Sequence, residues 1–355
     1  MTQQPFLTTV VPAYNAAPWL PECLDSLLSQ TGDGSRVILV DDGSTDGTAA
    51  ICTAYAARYP RELTLVRQQN LGLGAARNAG LALTQTPYVT FLDSDDRQEP
   101  HFVRRLGRLL ETAKQPPELV FSLPRIYDNV TRRVWDWYDE PLFTRLFGRE
   151  DGRVLNSRQE PRLYALEANA CRRVYQREFL TRCGFQFPEG VKWEDVQPHF
   201  YLLHRARRCA GLPSTGFYYR INRPGQITAG GGADRLDMIP VFRETLAMAR
   251  REQFSDTEMS YLLRMLLSYT SWSLDVTTGA YREPLLEGLH QLYRTIPDRA
   301  LRQYFNSCSP HRRKEQLLAA ALKSPGSSLL EDYWPKRQAI ALAGRLMGRT
   351  QEWRS

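Results

Sequence analysis

An α/β fold, with a parallel sheet and helices on both faces, is predicted for the first part of this 355-residue chain, followed by a mainly helical C-terminal region. Three observations predict it. Strand-sized apolar runs alternate with segments of helical periodicity through the first 120 residues. Three of those runs end in polar or acidic side chains: Tyr14 and Asn15, Asp41 and Asp42, Asp93 and Asp95. Beyond residue 232 the alternation gives way to long segments of helical pattern.

The elements follow in order. "FLTTVVPAY" reads as a buried strand, and "APWLPECLDSLLSQ" as a helix with Trp19, Cys23, Leu24, Leu27 and Leu28 on one side. "RVILVDD" is a second strand. The helix in "STDGTAAICTAYAARYP" is expected to be capped by Ser44 or Thr45 and stopped by Pro60. "LTLVRQ", "GAARNAGLALTQ" and "YVTFLD" continue as strand, helix and strand. "PHFVRRLGRLLETA" starts at Pro100, where a missing N–H costs little, and "ELVFSL" completes the series. Right-handed crossovers then place a ligand crevice at the carboxyl ends of the strands.

From residue 123 the pattern changes. "RIYDNVTRRVWDWY" suggests a hairpin turning at Asp128-Asn129, "NACRRVYQREFLTRCG" a helix ending at Gly184, and "STGFYYRI" a strand. The glycine-rich "NRPGQITAGGGAD" marks a boundary near residue 232. This gives a first domain over 1–232, with halves 1–120 and 121–232, and a helical domain over 233–355.

Composition narrows the class. With 42% hydrophobic and 24% charged residues the chain resembles a soluble globular protein. It shows neither a secretory leader nor an apolar run long enough to cross a membrane, so a cytoplasmic location is expected. Six scattered cysteines lack any ligand spacing, which favours reduced, buried thiols over zinc. The net charge is +7, and from Pro310 onward nine Lys/Arg face four Asp/Glu. Such a tail suits an anionic surface or a solvated helical face.

Three stretches carry chemistry. In "GLGAARNAG" Arg77 replaces the third glycine of a dinucleotide fingerprint, so the loop reads instead as a helix start that aims Arg77 at an anion or a base edge. In "VDDGSTD" a strand runs into two acids and a turn; this is either turn chemistry or a carboxylate placed to accept a pyrimidine N–H. In "DSDD" the alternate spacing Asp93-x-Asp95 projects two carboxylates from a strand end. Their mutual repulsion is cancelled by a hard cation such as Mg²⁺ or Mn²⁺ with a diphosphate.

Taken together, "VVPAYN", "VDDGSTDGT", "NLGLGAARNAGL" and "YVTFLDSDD" resemble the successive motifs of the family 2 glycosyltransferases, closely over residues 6–112 and more loosely to "YYRINRPGQIT". The resemblance implies the GT-A fold, a Rossmann-like mixed, mostly parallel sheet with flanking helices. It implies an inverting, metal-dependent transfer from a nucleotide-sugar, UDP-linked by the Asp42 contact, to a hydroxyl of a glycan or lipid-linked acceptor, as in bacterial cell-surface polysaccharide biosynthesis. Pro12, Tyr14, Asn15, Asp42, Asn70, Gly74, Arg77, Asp93 and Ser94 would bind the donor. Asp95, with Asp93 secondary, would hold Mn²⁺ or Mg²⁺. In "WED" Asp195 would be the general base and Glu194 its acidic neighbour. Arg220, Arg223 and Thr228 match the loop that closes over the diphosphate, and Lys192 and Trp193 flank the acids on the acceptor side.

Two other readings are weaker. A nucleotidyltransferase needs a glycine-rich phosphate loop near the N-terminus, and "VVPAYNAAPWL" lacks one. A non-catalytic GT-A glycan-binding protein would have lost the DxD or the base, and both are intact. Trp135, Trp137 and Tyr138 offer aromatic faces to sugars or to the core. "DYWPKRQAIALAGRLMGRTQEWR" suggests an amphipathic helix for peripheral membrane contact, with homo-oligomerisation as the plainer role. No nucleic-acid partner is expected.

Overall fold

Seven residues rich in β-branched side chains, Leu7–Ala13, form β1 and are buried along their whole length. It pairs in parallel with β2 (Ser35–Asp42) from Leu7↔Ser35 to Ala13↔Asp41, and with β4 (Tyr88–Phe91) from Leu7↔Tyr88 to Val10↔Phe91. Pro12 is tolerated in this central strand because it shares the parity of Val10, whose carbonyl accepts the Leu92 N–H on the β4 side. Its missing donor therefore faces a ladder that has already ended. β3 (Leu63–Gln68) pairs in parallel with β2.

The structure, a computed structural model, describes residues 4–150, 152–225, 231–277, 279–306 and 313–324. The chain divides into two compact units, Met1–Gln226 and Ile227–Ser355.

In the first unit the crossover helices are α1 (Leu20–Leu28), α2 (Thr48–Arg58), α3 (Leu73–Ala82) and α4 (Phe102–Thr112). Leu20, Cys23, Leu24, Leu27 and Leu28 are buried on α1, as the spacing requires. Phe102, Val103, Leu106 and Leu109 of α4 pack with Leu7, Val120, Val174 and Leu212 of the sheet. A two-residue strand β5 (Arg97–Gln98) precedes α4, and β6 (Leu119–Asp128) follows it. The hairpin is present: β7 (Val134–Asp136) pairs antiparallel with β6, and Asp128 Oδ1 accepts the Val130 and Thr131 N–H groups in the turn.

Next come α5 (Glu140–Phe147) and β8 (Val154–Leu155). The helix expected over "NACRRVYQREFLTRCG" is half right. Arg173–Gln176 is a strand, β9, and only Arg177–Arg182 is helical, as α6. β9 lies between β4 and β6 and runs antiparallel to both, so the sheet is mixed rather than wholly parallel. Two long-range partner strands override the local helical spacing. After α7 (Val196–Arg205), β10 (Cys209–Ile221) runs parallel to β6 and antiparallel to β5 and β8. The path across the sheet is β3-β2-β1-β4-β9-β6-β10-β5.

The second unit is helical where described: α8 (Met238–Arg251), α9 (Asp256–Val276), α10 (Arg282–Arg294), α11 (Asp298–Asn306) and α12 (Arg313–Lys323). A capping box closes the start of α9, where Ser255 and Glu258 satisfy each other's backbone N–H. Its core contains Phe242, Leu262, Leu266, Leu285, Leu289 and Leu292. Arg235 stacks on the Trp272 ring at 3.8 Å. Among the described residues no helix is long and apolar enough to cross a membrane. The segment expected to meet a membrane, with Trp334 and Trp353, lies outside the described residues.

Candidate active site

The carboxyl ends of β1, β2 and β4 lie side by side, and their polar residues build the first wall of a crevice. Asn15, left-handed at φ 49°, accepts the Thr45 N–H on its Oδ1 at 2.8 Å, while Ser44 Oγ accepts the Asn15 N–H at 3.2 Å. Ser44 and Thr45 therefore tie the β2 loop to β1 and do not cap α2, whose N-cap is Gly47. Asp46 supplies the local acceptor for the Thr48 N–H instead, and these hydrogen bonds hold its carboxyl below the usual range even though partial burial pushes the other way.

Asp42 is buried and fully engaged. Its Oδ1 accepts from Gln68 Nε2 at 2.8 Å and from the Leu71 N–H at 2.9 Å, and its Oδ2 accepts the Gly72 N–H at 2.9 Å. The carboxylate thus sits at the N-terminus of α3, where peptide dipoles favour negative charge. Gly43, at φ +73°, allows this: a Cβ there would stand 2.7 Å from the Asn70 nitrogen. Tyr14 (48% exposed) and Asn70 remain open to solvent, whereas Pro12 is buried in the sheet.

Helix α3 then delivers Arg77. Only 1% exposed, it donates through Nη1 to Glu194 Oε1 (2.6 Å) and Asp195 Oδ1 (2.7 Å), and through Nη2 to Asp93 Oδ1 (2.9 Å). Its guanidinium lies 5.4 Å from the Phe187 ring centroid. One buried cation therefore joins the end of β4 to the "WED" loop before α7. The docking is tight, because a Cβ on Gly74 would meet Pro188 O at 2.0 Å, and Asn78 exchanges hydrogen bonds with the backbone of Phe187. Burial pushes both acids up, Glu194 to about 7 and Asp195 above its ordinary value; Arg77 opposes the shift without cancelling it. Asp195 Oδ2 accepts the Ala170 N–H at 3.1 Å, so the carboxylate is held at both oxygens.

The rest of "DSDD" faces β10. Asp96 Oδ1 accepts the Arg220 N–H at 2.8 Å, while its buried Oδ2 has no hydrogen-bond partner among the described residues. Burial raises the Asp96 carboxyl strongly and that of Asp95 as well, and the neighbouring acids add to both shifts. Arg223 Nε donates to Asp95 Oδ2. Arg220 is buried in β10, donating to the Asp95 carbonyl (2.7 Å), Asn129 Oδ1 (3.1 Å) and Glu22 Oε2 (2.5 Å). It is thus a strut under the acidic turn and not a loop residue. Ser94 is buried in the same turn. Thr228 lies outside the described residues.

On the other side of the crevice Lys192 and Trp193 are half-buried in the loop before α7, with Trp193 left-handed at φ 65°. Trp137 is buried against Tyr138 and Tyr219, whereas Trp135 and Tyr138 are exposed. Sequence reasoning missed the charges beneath them. Arg172 pairs bidentately with Asp139, at 2.5 and 3.1 Å. Arg173 donates to the carbonyls of Asn169 and Glu167 and contacts His199, whose pKa burial and Arg173 push well below the ordinary value. The density of arginine in "NACRRVYQRE" was the available signal; its partners lie too far away in sequence to be read. None of the five cysteines among the described residues forms a disulfide, and four of them are buried.

Asp93 and Asp95 offer hard carboxylate oxygens two positions apart in this turn, paired with Arg77 and Arg223 respectively, and the Asp96 oxygen beside them is unpartnered among the described residues. The donor set fits a divalent cation. Among the described residues no group of three or more His, Cys, Asp or Glu side chains forms a ready cage.

Residues 8–173 match the family described as glycosyl transferase family 2. Within unit 1, that stretch forms a glycosyltransferase family 2 domain. The uncharacterized glycosyltransferase EpsJ of Bacillus subtilis (strain 168) is 29% identical over 230 residues, 63% of this chain and 63% of EpsJ. The succinoglycan biosynthesis protein ExoO of Rhizobium meliloti (strain 1021) is 29% identical over 239 residues, 66% of this chain and 65% of ExoO. The chain thus spans less than two thirds of the length of these relatives. Residues 1–349 of S. aureus TarS, solved in complex with UDP-GlcNAc, superpose with a TM-score of 0.71 at 18% identity, covering 98% of this chain and 93% of that one. The glycosyltransferase domain therefore has the GT-A fold, and a helical C-terminal region follows it.

Proposed function

We propose that the glycosyltransferase domain moves a sugar from a UDP-linked donor to a hydroxyl of a glycan or lipid-linked acceptor, with inversion at the anomeric carbon, in the synthesis of a cell-surface polysaccharide. One observation carries the reading. A single buried guanidinium, Arg77, ties Asp195 to Asp93, which supports reading Asp195 as a base that works beside the first DxD carboxylate. TarS and ExoO lend support, since one was solved with UDP-GlcNAc and the other is named for succinoglycan biosynthesis.

The chemistry assigns each group a task. The donor's base and ribose would lie against Tyr14, Asn15 and the loop held by Asp42, with Asn70 and Gly74 on its far side. A Mg²⁺ or Mn²⁺ ion held by Asp95, with Asp93 secondary, would neutralise the diphosphate as it leaves. Arg223, now paired with Asp95, would be released toward the diphosphate once that carboxylate has a cation of its own. The acceptor hydroxyl gives its proton to Asp195 as its oxygen bonds to the anomeric carbon, and the bond to the diphosphate breaks with its electron pair. Asp195 acts from the face opposite the leaving group, without a covalent intermediate, so the configuration inverts. Arg77 positions the base, Glu194 balances the charge of Arg77, and Lys192 and Trp193 border the acceptor.

Release of UDP from a panel of UDP-sugars, with water as acceptor, tests the assignment. Asp195→Asn is expected to slow release by about 10²–10⁴-fold while leaving UDP affinity unchanged. Unchanged turnover in that variant would remove Asp195 as the base. Because burial raises its carboxyl, the acid limb of the wild-type rate profile is expected above the ordinary aspartate value.

A further inference from the structure

A cleft of about 460 Å³ on unit 1 shares no residue with the crevice described above. It is lined by Arg105 and Arg108 of α4, Arg149 and Glu150 just after α5, and Pro213 and Ser214 of β10. Arg105 and Arg108 are three residues apart, so they share one helix face. Gly148, with φ +80°, ends α5 and turns the chain into Arg149. Three positive charges therefore meet one negative charge around a single concavity.

Two features set this cluster apart from an ordinary basic surface. The first is that, among the described residues, none of the three guanidinium groups pairs with a carboxylate. In the crevice, by contrast, Arg77, Arg220 and Arg223 are all committed to acids. The second lies in the strand beneath. β10 pairs with β6 at Leu212↔Ser122 and resumes at Thr215↔Leu123, leaving Pro213 and Ser214 extra. Such a bulge re-aims side chains and is a built feature of a sheet. The Ser214 hydroxyl oxygen is buried and has no hydrogen-bond partner among the described residues, a cost normally met by a ligand or water.

We propose that this cleft binds an organic phosphate. Guanidinium forks from Arg105, Arg108 and Arg149 match phosphate oxygens, and the Ser214 hydroxyl donates one further hydrogen bond. The cleft exceeds a bare phosphate ion and falls in the size range of small-ligand pockets, so the phosphate carries a body the size of a sugar or glycerol. A soluble sugar phosphate and a phospholipid headgroup share this chemistry.

The test uses the full chain. Glycerol 3-phosphate and glucose 1-phosphate are titrated calorimetrically, and vesicles of phosphatidylglycerol are compared with vesicles of phosphatidylcholine by co-sedimentation. Wild type is set against Arg105→Glu/Arg108→Glu and, separately, Arg149→Ser, with melting temperatures checked for each. The double variant is expected to lose binding about tenfold or more, and Arg149→Ser to lose part of it, at unchanged melting temperature. Loss seen with the soluble esters assigns a soluble ligand, and loss seen only with phosphatidylglycerol assigns a headgroup. Absence of binding to every probe, or binding by both variants equal to wild type, overturns the proposal.

Discussion

Two regions of the crevice bury carboxylates by opposite means. At the end of β2, Asp42 is satisfied by neutral donors, two backbone N–H groups and one side-chain amide. At the end of β4, Asp93 shares one buried guanidinium with Glu194 and Asp195. The first arrangement fixes a loop and leaves no charge to rearrange. The second balances three acids against one cation, and burial lifts two of those acids above their ordinary range. Helix α3 serves both regions, since Asp42 caps its start and Arg77 projects from its second turn. For the proposed reaction, the rigid wall would seat the nucleotide and the tunable one the proton acceptor.

The comparison is broken most severely by removing its cation. Arg77→Ala leaves buried Glu194 without its cation and half-buried Asp93 and Asp195 facing it, and is expected to cost about 3–5 kcal/mol, read by urea denaturation, with loss of turnover. Displacing the shared helix comes next. Gly74→Ala drives a Cβ to 2.0 Å from the Pro188 carbonyl oxygen. A loss of about 1–3 kcal/mol is expected from such overpacking, and turnover falls with it as Arg77 is carried out of register.

Asp42→Asn probes the neutral side. An Asn amide pointed at Gly72 sets a donor against a donor, at about 1–3 kcal/mol. UDP binding should weaken while the pH dependence of turnover stays in place. A shifted pH profile in this variant would mean that the two regions are not independent.

The smallest expected effect sharpens the electrostatic side. Burial pushes Glu167 up to about 7, against the pull of Arg172, and its Oε2 has no hydrogen-bond partner among the described residues. Between its ordinary pKa of 4.5 and about 7 the unfolded chain has already released this proton while the folded chain keeps it. Stability therefore falls as pH rises through that window. Glu167→Gln removes the cost, so the variant should gain melting temperature over wild type at pH 8 and little at pH 4.

Most of residues 1–120 was legible in the sequence. Its strands are short apolar runs with turn residues at each end, and β3 coincides with "LTLVRQ" residue for residue. The acids at strand ends were legible too, because parallel neighbours must bring those ends together. The partners were not. Arg77 reaches carboxylates 16, 117 and 118 residues away, and nothing local to "GAARNAG" specifies three acids over an anion. β9 was hidden for a similar reason: four residues placed in mid-sheet by β4 and β6 read locally as the first turn of α6. The role given to Ser44 and Thr45 failed because Asn15, on the adjoining strand, competes for them.

Calorimetric titration of UDP into the full chain, with Mn²⁺ and again with EDTA, for wild type and Asp95→Ala, tests the central claim most directly. The account predicts metal-dependent binding in wild type that Asp95→Ala abolishes, because the acidic turn then lacks the carboxylate that completes a cation site with the diphosphate. Binding that is unchanged by EDTA and by Asp95→Ala would contradict it, and would leave the cluster at the end of β4 as a purely structural balance of charge.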